Sequence, residues 1–232
     1  MITTSIQRNF IICIICSLFT IAFTNAQKSY YKEVGDFYEV KVFNRIEVTL
    51  KKSDKNAVQI IGSKKDEVVI NNNNGVLKIK MNLEHIWDPS NTEVILFYKD
   101  IRVLDANEGA IIRCKNRIEE DYLTVKVQEG AKIFVEVQTE KLDAKSVTGG
   151  EIQIRGEAKE QKVVVQAGGQ YLCKYLKTQN TDVKISAGGF ADIYASKFVK
   201  ANTTAGGVIE IYGNPEEIDQ KKVLGGKIIE KN

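Results

Sequence analysis

Gly149-Gly150-Glu151-Ile152-Gln153-Ile154 is followed nineteen residues later by Gly168-Gly169-Gln170-Tyr171-Leu172-Cys173. The same glycine corner and alternating segment begin at Gly109-Ala110, Gly130-Ala131, Gly188-Gly189, Gly206-Gly207 and Gly225-Gly226. The first glycines are spaced 21, 19, 19, 20, 18 and 19 residues apart. Two positions beyond each pair stand Ile112, Ile133, Ile152, Tyr171, Ala191, Ile209 and Ile228. Two further on stand Cys114, Val135, Ile154, Cys173, Ile193 and Ile211. The column between them is mixed: Arg113, Phe134, Gln153, Leu172, Asp192 and Glu210. Alternation with period two is a strand with one buried face.

A second strand precedes each corner, as in Leu123–Val127, Val163–Val165 and Val183–Ile185. Each repeat is therefore a coil of two or three short strands. Glycine suits its corner because it accepts positive φ and lets successive corners approach closely. No single coil can bury its apolar face. Stacked coils share a continuous core and pair their backbones along the axis, which is a parallel β-solenoid. Coil lengths from 18 to 21 do not fit the strict multiples of six of left-handed hexapeptide helices. The expected fold is an all-β, right-handed parallel β-helix, following the general crossover preference. A leucine-rich or propeller repeat would need helix-period segments or a Trp-Asp signature, and neither is seen.

Residues 105–232 carry these coils, and residues 27–104 read as an N-terminal β-strand cap or irregular first coils. Strands are expected at Phe37–Val42, Arg45–Leu50, Ala57–Ile61, Val76–Met81 and Thr92–Phe97, with Asn71–Gly75 as a turn before the fourth. An open solenoid end exposes strand edges, which gives a cap its purpose. Cys114 and Cys173 fall in one inward column three coils apart. At the usual strand spacing that is about 14 Å, beyond the roughly 7 Å between Cα atoms that a disulfide allows. Both are expected to be buried free thiols.

The first 26 residues form a separate unit. Arg8 precedes an apolar run from Phe10 to Phe23, and Thr24-Asn25-Ala26 puts small residues at the −3 and −1 positions before Gln27. This pattern predicts a secretory signal cleaved near Ala26, leaving a protein exported to the periplasm, the cell surface or the medium. Lipid attachment needs a small residue before the cysteine, and isoleucine precedes both Cys13 and Cys16, so none is expected. No later stretch is apolar enough for a membrane helix.

The order Val40-Lys-Val-Phe-Asn-Arg-Ile-Glu-Val-Thr-Leu50, then Asn74-Gly-Val-Leu-Lys-Ile79, then the glycine coils, resembles the bacterial head GIN domain family. That family is described as auto-transporter adhesin heads and as a domain of unknown function. The similarity covers residues 37–228. It implies an exported β-helical protein of the cell envelope, with a carbohydrate or surface polymer as ligand. The chain closes on Ile228-Ile-Glu-Lys-Asn232 without alternating membrane strands, so no auto-transporter barrel is expected after residue 229.

Thirty-three basic residues against 30 acidic ones, a net charge of +3, leave no basic field for nucleic acid. A single histidine, His85, argues against a histidine-rich metal site and a Ser-His-Asp triad. No phosphate loop, dinucleotide fingerprint, zinc spacing or nucleophile elbow is present. No cofactor and no catalytic residue are therefore expected. An enzyme acting on polysaccharide would need clustered acids on an outward face. Asp192 and Glu210 occupy adjacent coils of one column and are candidate ligand residues, a pair able to bind a cation or share a proton, where a solvated surface pair is the simpler reading. Glu119-Glu120-Asp121 reads as an exposed turn.

Candidate ligand residues are His85, Trp87 and Asp88 in the eccentric loop Asn82–Asn91, Trp being a usual sugar-stacking side chain, although a Trp folded back over a core end is the simpler reading. Phe134, Leu172 and Phe190, with Tyr194 and Tyr212, form an expected apolar stripe, for a partner, for a second copy of the protein or, equally, for the chain's own N-terminal segment to pack against. The sequence thus points to an exported, non-enzymatic, adhesin-like binder of a surface glycan, envelope polymer or envelope protein. The alternatives are a polysaccharide-active enzyme using the acidic pair, or a structural module that self-associates into a homo-oligomer.

Overall fold

The computed structural model describes residues 29–82, 84 and 92–231. The N-terminal third contains β1 (Tyr30–Glu33), β2 (Glu39–Val42), β3 (Glu47–Lys52), β4 (Ala57–Gly62), β5 (Val68–Asn73), β6 (Val76–Met81) and β7 (Thr92–Tyr98). Then follow β8 (Val103–Ala106), β9 (Ile111–Cys114), β10 (Ile118–Val127), β11 (Lys132–Val147), β12 (Glu151–Gln166), β13 (Gln170–Leu172) and β14 (Leu176–Ser186). β15 (Phe190–Tyr194), β16 (Phe198–Thr204), β17 (Val208–Tyr212), β18 (Glu217–Val223) and β19 (Lys227–Glu230) complete the chain.

These strands form a β-solenoid of about seven turns with coils about 19 residues apart. Two long parallel ladders run along it. Strands before each corner stack in the order β8, β10, β11, β12, β14, β16, β18. Strands after each corner stack as β9, β11, β12, β13, β15, β17, β19. β11 and β12 are long enough to bend through both ladders. The inward column pairs Ile112, Ile133, Ile152, Tyr171, Ala191, Ile209 and Ile228 in the register read from the repeat. All of these except Ile228 are buried. No coil can bury its apolar column alone, and burial of that column between its neighbours is what makes stacking favourable.

The two corner columns use glycine for different reasons. At the first, two successive residues take left-handed conformations, as at Ala167 (φ 48°) and Gly168 (φ 75°), and a Cβ on Gly168 would meet nothing within 4 Å. At the second, space is the constraint. A Cβ on Gly169 would lie 2.5 Å from the Ser146 carbonyl oxygen. Backbone bonds climb this column: Gln170 N–H donates to Gly150 O, Phe190 to Gly169 O and Val208 to Gly189 O.

The N-terminal third departs from chain order. β2 lies between β6 and β8, and β3 lies between β7 and β9, all parallel. Thus β2–β3 is a true coil whose corner, Asn44-Arg45, holds two left-handed residues without glycine (φ 57° and 59°). β4 runs antiparallel to β7, β1 antiparallel to β4, and β5 antiparallel to β6. Residues 71–73 were expected in a turn and are instead strand. The turn is only Asn74-Gly75, a two-residue hairpin loop with positive φ at both positions.

The coils also bury a polar network. Tyr171 Oη donates to Gln161 Oε1 (2.7 Å), and Gln161 Nε2 donates to Thr181 Oγ1 (2.9 Å) and to the Tyr194 carbonyl (3.3 Å). Burial inside this core pushes the Tyr171 hydroxyl well above its ordinary pKa.

Candidate functional site

The outward face of the ladder built by β3, β9, β11, β12 and β13 carries an open groove of about 490 Å³. Phe134 and Leu172, two coils apart in one outward column, form its apolar floor, and Tyr175 rises beside them. Arg113 and Arg155 flank them. The Arg113 guanidinium carbon sits 4.2 Å from the Phe134 ring centroid, while its Nε donates to Glu47 Oε1 at 2.8 Å. Glu47 belongs to β3, so the coil inserted out of order orients an arginine of the groove. Arg155 Nε donates to Glu136 Oε2 at 3.0 Å. A cation over a ring with its charge partly satisfied is held in place while most of its donors stay free.

Tyr175 owes its position to a bulge. Ile152 pairs with Tyr171 but Gly156 pairs with Leu176, so one extra residue is accommodated between them. The chain turns at Lys174-Tyr175 and leaves Tyr175 72% exposed, with the Lys174 ammonium 5.2 Å from its ring. Bulges re-aim side chains and are frequent beside functional sites. The sequence reading did not single out Tyr175. The signal was there, because this is the coil of 20 residues instead of 19.

The same turn removes Asp192 from the surface. Asp192 was expected in a solvated pair with Glu210, and the two residues are indeed register neighbours. Its carboxylate, however, is buried and accepts the Lys174 N–H at 2.9 Å, while its carbonyl accepts the Cys173 N–H. Burial, reinforced by the Glu210 charge, raises its pKa despite those bonds. Asp192 thus holds the turn through one carboxylate oxygen. Glu210 pairs with Lys231 (3.0 Å) and accepts from Tyr212 Oη (3.0 Å), and the Lys231 hydrogen bond lowers its pKa.

The aromatic residues read as one stripe occupy three columns. Phe134 shares a column with Leu172, Phe190 lies in the column beside it, and Tyr194 pairs with Tyr212 on the other side. Phe190, Tyr194 and Tyr212 are half-buried and do not line the groove. His85, Trp87 and Asp88 lie outside the described residues.

Cys173 and Cys114 are both free. Cys173 is buried and its sulfur accepts the Ile154 N–H. Cys114, also expected to be buried, is half-buried at the groove edge, 3.6 Å from Tyr98 Oη. It ends β9, where Leu50 of β3 is its register partner on one side and the pairing with β11 on the other stops at Arg113. Among the described residues no group of three or more His, Cys, Asp or Glu side chains is arranged to hold a metal ion, and no helix is long and apolar enough to cross a membrane.

Solved structures share this architecture. A protein of Bacteroides fragilis described as a "putative adhesin" superposes with a TM-score of 0.75 at 15% identity, covering 88% of this chain and 96% of its own. Another so described, from Parabacteroides distasonis, gives 0.71 at 20% identity, with coverage of 88% and 96%. A third, from the same species and described as a "putative lipid binding protein", gives 0.67 at 16% identity, with coverage of 90% and 98%. At such identities the likeness establishes the fold alone. No curated protein matches the chain. The family model "Putative auto-transporter adhesin, head GIN domain" matches residues 36–215, and the chain belongs to that family.

Proposed function

We propose that this adhesin-family protein is exported through residues 1–26 and binds a surface glycan of the cell envelope, without chemical turnover, in the groove over Phe134 and Leu172. The observation that carries this reading is the exposed Tyr175, lifted by a bulge beside an apolar floor with an arginine on each side. An aromatic ring held in water loses the stabilisation that burial would give it, and it offers a stacking face for a sugar. Free donors of Arg113 and Arg155 supply hydrogen bonds to hydroxyl or carboxylate groups. The engagement of the Asp192 carboxylate by the Lys174 N–H of the preceding coil speaks against a polysaccharide-cleaving acid pair with Glu210.

Screening the purified protein on a glycan array, with a turnover assay on every polymer bound, tests the reading. Binding that drops at least about tenfold in Phe134→Ala and Tyr175→Ala, with no product released, is expected from the loss of stacking surface. Cleavage of any bound polymer, or binding indifferent to both substitutions, would overturn it. Amino-terminal sequencing of the exported protein should begin at Gln27.

A further inference from the structure

The two ends of the solenoid are finished differently. At the N-terminal end, the antiparallel strands β1, β4 and β5 cover the last parallel coil. At the C-terminal end, among the described residues, β18 pairs with β16 and β19 with β17, and neither has a partner on its other edge. Apolar side chains gather there: Val223 is 40% exposed and Leu224 82% exposed, and Ile218 and Ile228 are partly buried against the core.

The free edge of β18 has a definite phase. Glu217 N–H donates to Lys197 O, and Val223 O accepts from Ala205 N–H. In a parallel ladder, residues alternate in the side to which they bond. The odd-numbered residues therefore face β16, and the N–H and C=O groups of Ile218, Gln220 and Lys222 face away. The strand also changes sign along its length, from Glu217 and Asp219 to Lys221 and Lys222.

Antiparallel pairing with an identical strand through its even-numbered residues leaves few registers. Centring on Gln220 places Asp219 opposite Lys221 of the second copy, twice by symmetry, and Ile218 opposite Lys222. A two-residue shift either way opposes Asp219 to itself or Lys221 to itself. Like charges directly opposite are destabilising, so one register is selected. We propose that the protein forms a two-fold, end-to-end dimer in which β18 pairs antiparallel with β18 of a second copy, Gln220 against Gln220. Such a contact is isologous and closes, so it yields dimers instead of fibres.

Sedimentation equilibrium of the purified protein, with circular dichroism to confirm folding, provides the test. A concentration-dependent dimer is expected. Asp219→Lys should raise its Kd about tenfold, since two exposed ion pairs become repulsive. The exchanged pair Asp219→Lys with Lys221→Asp restores complementarity in the same register and should recover the dimer. A monomer at every soluble concentration would overturn the proposal and assign Lys221 and Lys222 to blocking the edge. A dimer unaffected by Asp219→Lys, or one not recovered by the exchange, would overturn it as well.

Discussion

The coils from β8 onward and the coils before it solve the same packing problem with different chain paths. From β8 to β19, order in the chain is order in the stack, and each coil covers the apolar column of the one before. Before β8, the coil β2–β3 is laid down first and then enclosed, with β6–β7 on one side and β8–β9 on the other. The early coil turns at Asn44-Arg45, where no glycine occurs, and its next residue is the buried Ile46. Ile111 N–H donates to Ile46 O much as Gln170 N–H donates to Gly150 O. The corner is thus one backbone device. Glycine is demanded by crowding in the later coils, and a side chain is admitted where the neighbouring strand leaves room.

The largest expected effect falls on a late-coil glycine outside the paired corners. Gly156 has φ 114°, and a Cβ there would stand 2.1 Å from the Val137 carbonyl oxygen. Gly156→Val should cost about 3–5 kcal/mol of stability by chemical denaturation, because backbone instead of a movable side chain must give way. Next comes the buried network. Tyr171→Phe leaves Gln161 Oε1 without its donor and should cost about 1–3 kcal/mol, the penalty for a buried unsatisfied acceptor. The comparison between the corners is sharpened by a pair of opposite sign. Gly168→Ala, with open space around it but left-handed φ, should destabilise by about 1–2 kcal/mol. Arg45→Gly, relieving the same conformation in the early coil, should stabilise by up to about 1 kcal/mol. Equal effects at the two corners would contradict the shared geometry.

The smallest effect concerns Asp192. Its folded pKa is raised, so the folded state holds the proton more tightly than the unfolded chain. Stability from this group therefore rises as pH falls through the folded pKa toward the unfolded value, and is lost as pH rises. Asp192→Asn keeps an oxygen acceptor for the Lys174 N–H. It should match or exceed the parent protein at neutral pH and lose that advantage in acid, as read from melting curves across the carboxylate range.

Much of the later architecture was legible because one spacing recurs. The columns headed by Ile112 and Cys114 follow directly from it, and the register agrees residue for residue along the first of them. The insertion of β2–β3 was not legible, since periodicity reports the shape of a coil and carries no record of which coil lies beside which. Its corner also lacks the glycine that marks the others. At the candidate site, Phe134 could be read from the outward column, whereas Tyr175 required asking where the extra residue of its coil goes. Asp192 misled for a related reason: the bulge that exposes Tyr175 covers the neighbouring coil.

The site depends on the inserted coil, because Thr49 lines the groove and Glu47 holds Arg113. Cysteine crosslinking tests this most directly, with Cys114 and Cys173 replaced by alanine. Thr49 and Arg113 are register partners on adjacent strands, whereas Ile95 is separated from Arg113 by β3. Neighbouring strands lie about 4.8 Å apart, within disulfide reach, and next-nearest strands lie at about twice that, outside it. Thr49→Cys with Arg113→Cys should form an intramolecular disulfide on mild oxidation, and Ile95→Cys with Arg113→Cys should not. A disulfide in the second pair and none in the first would contradict the inserted coil and the groove wall built on it.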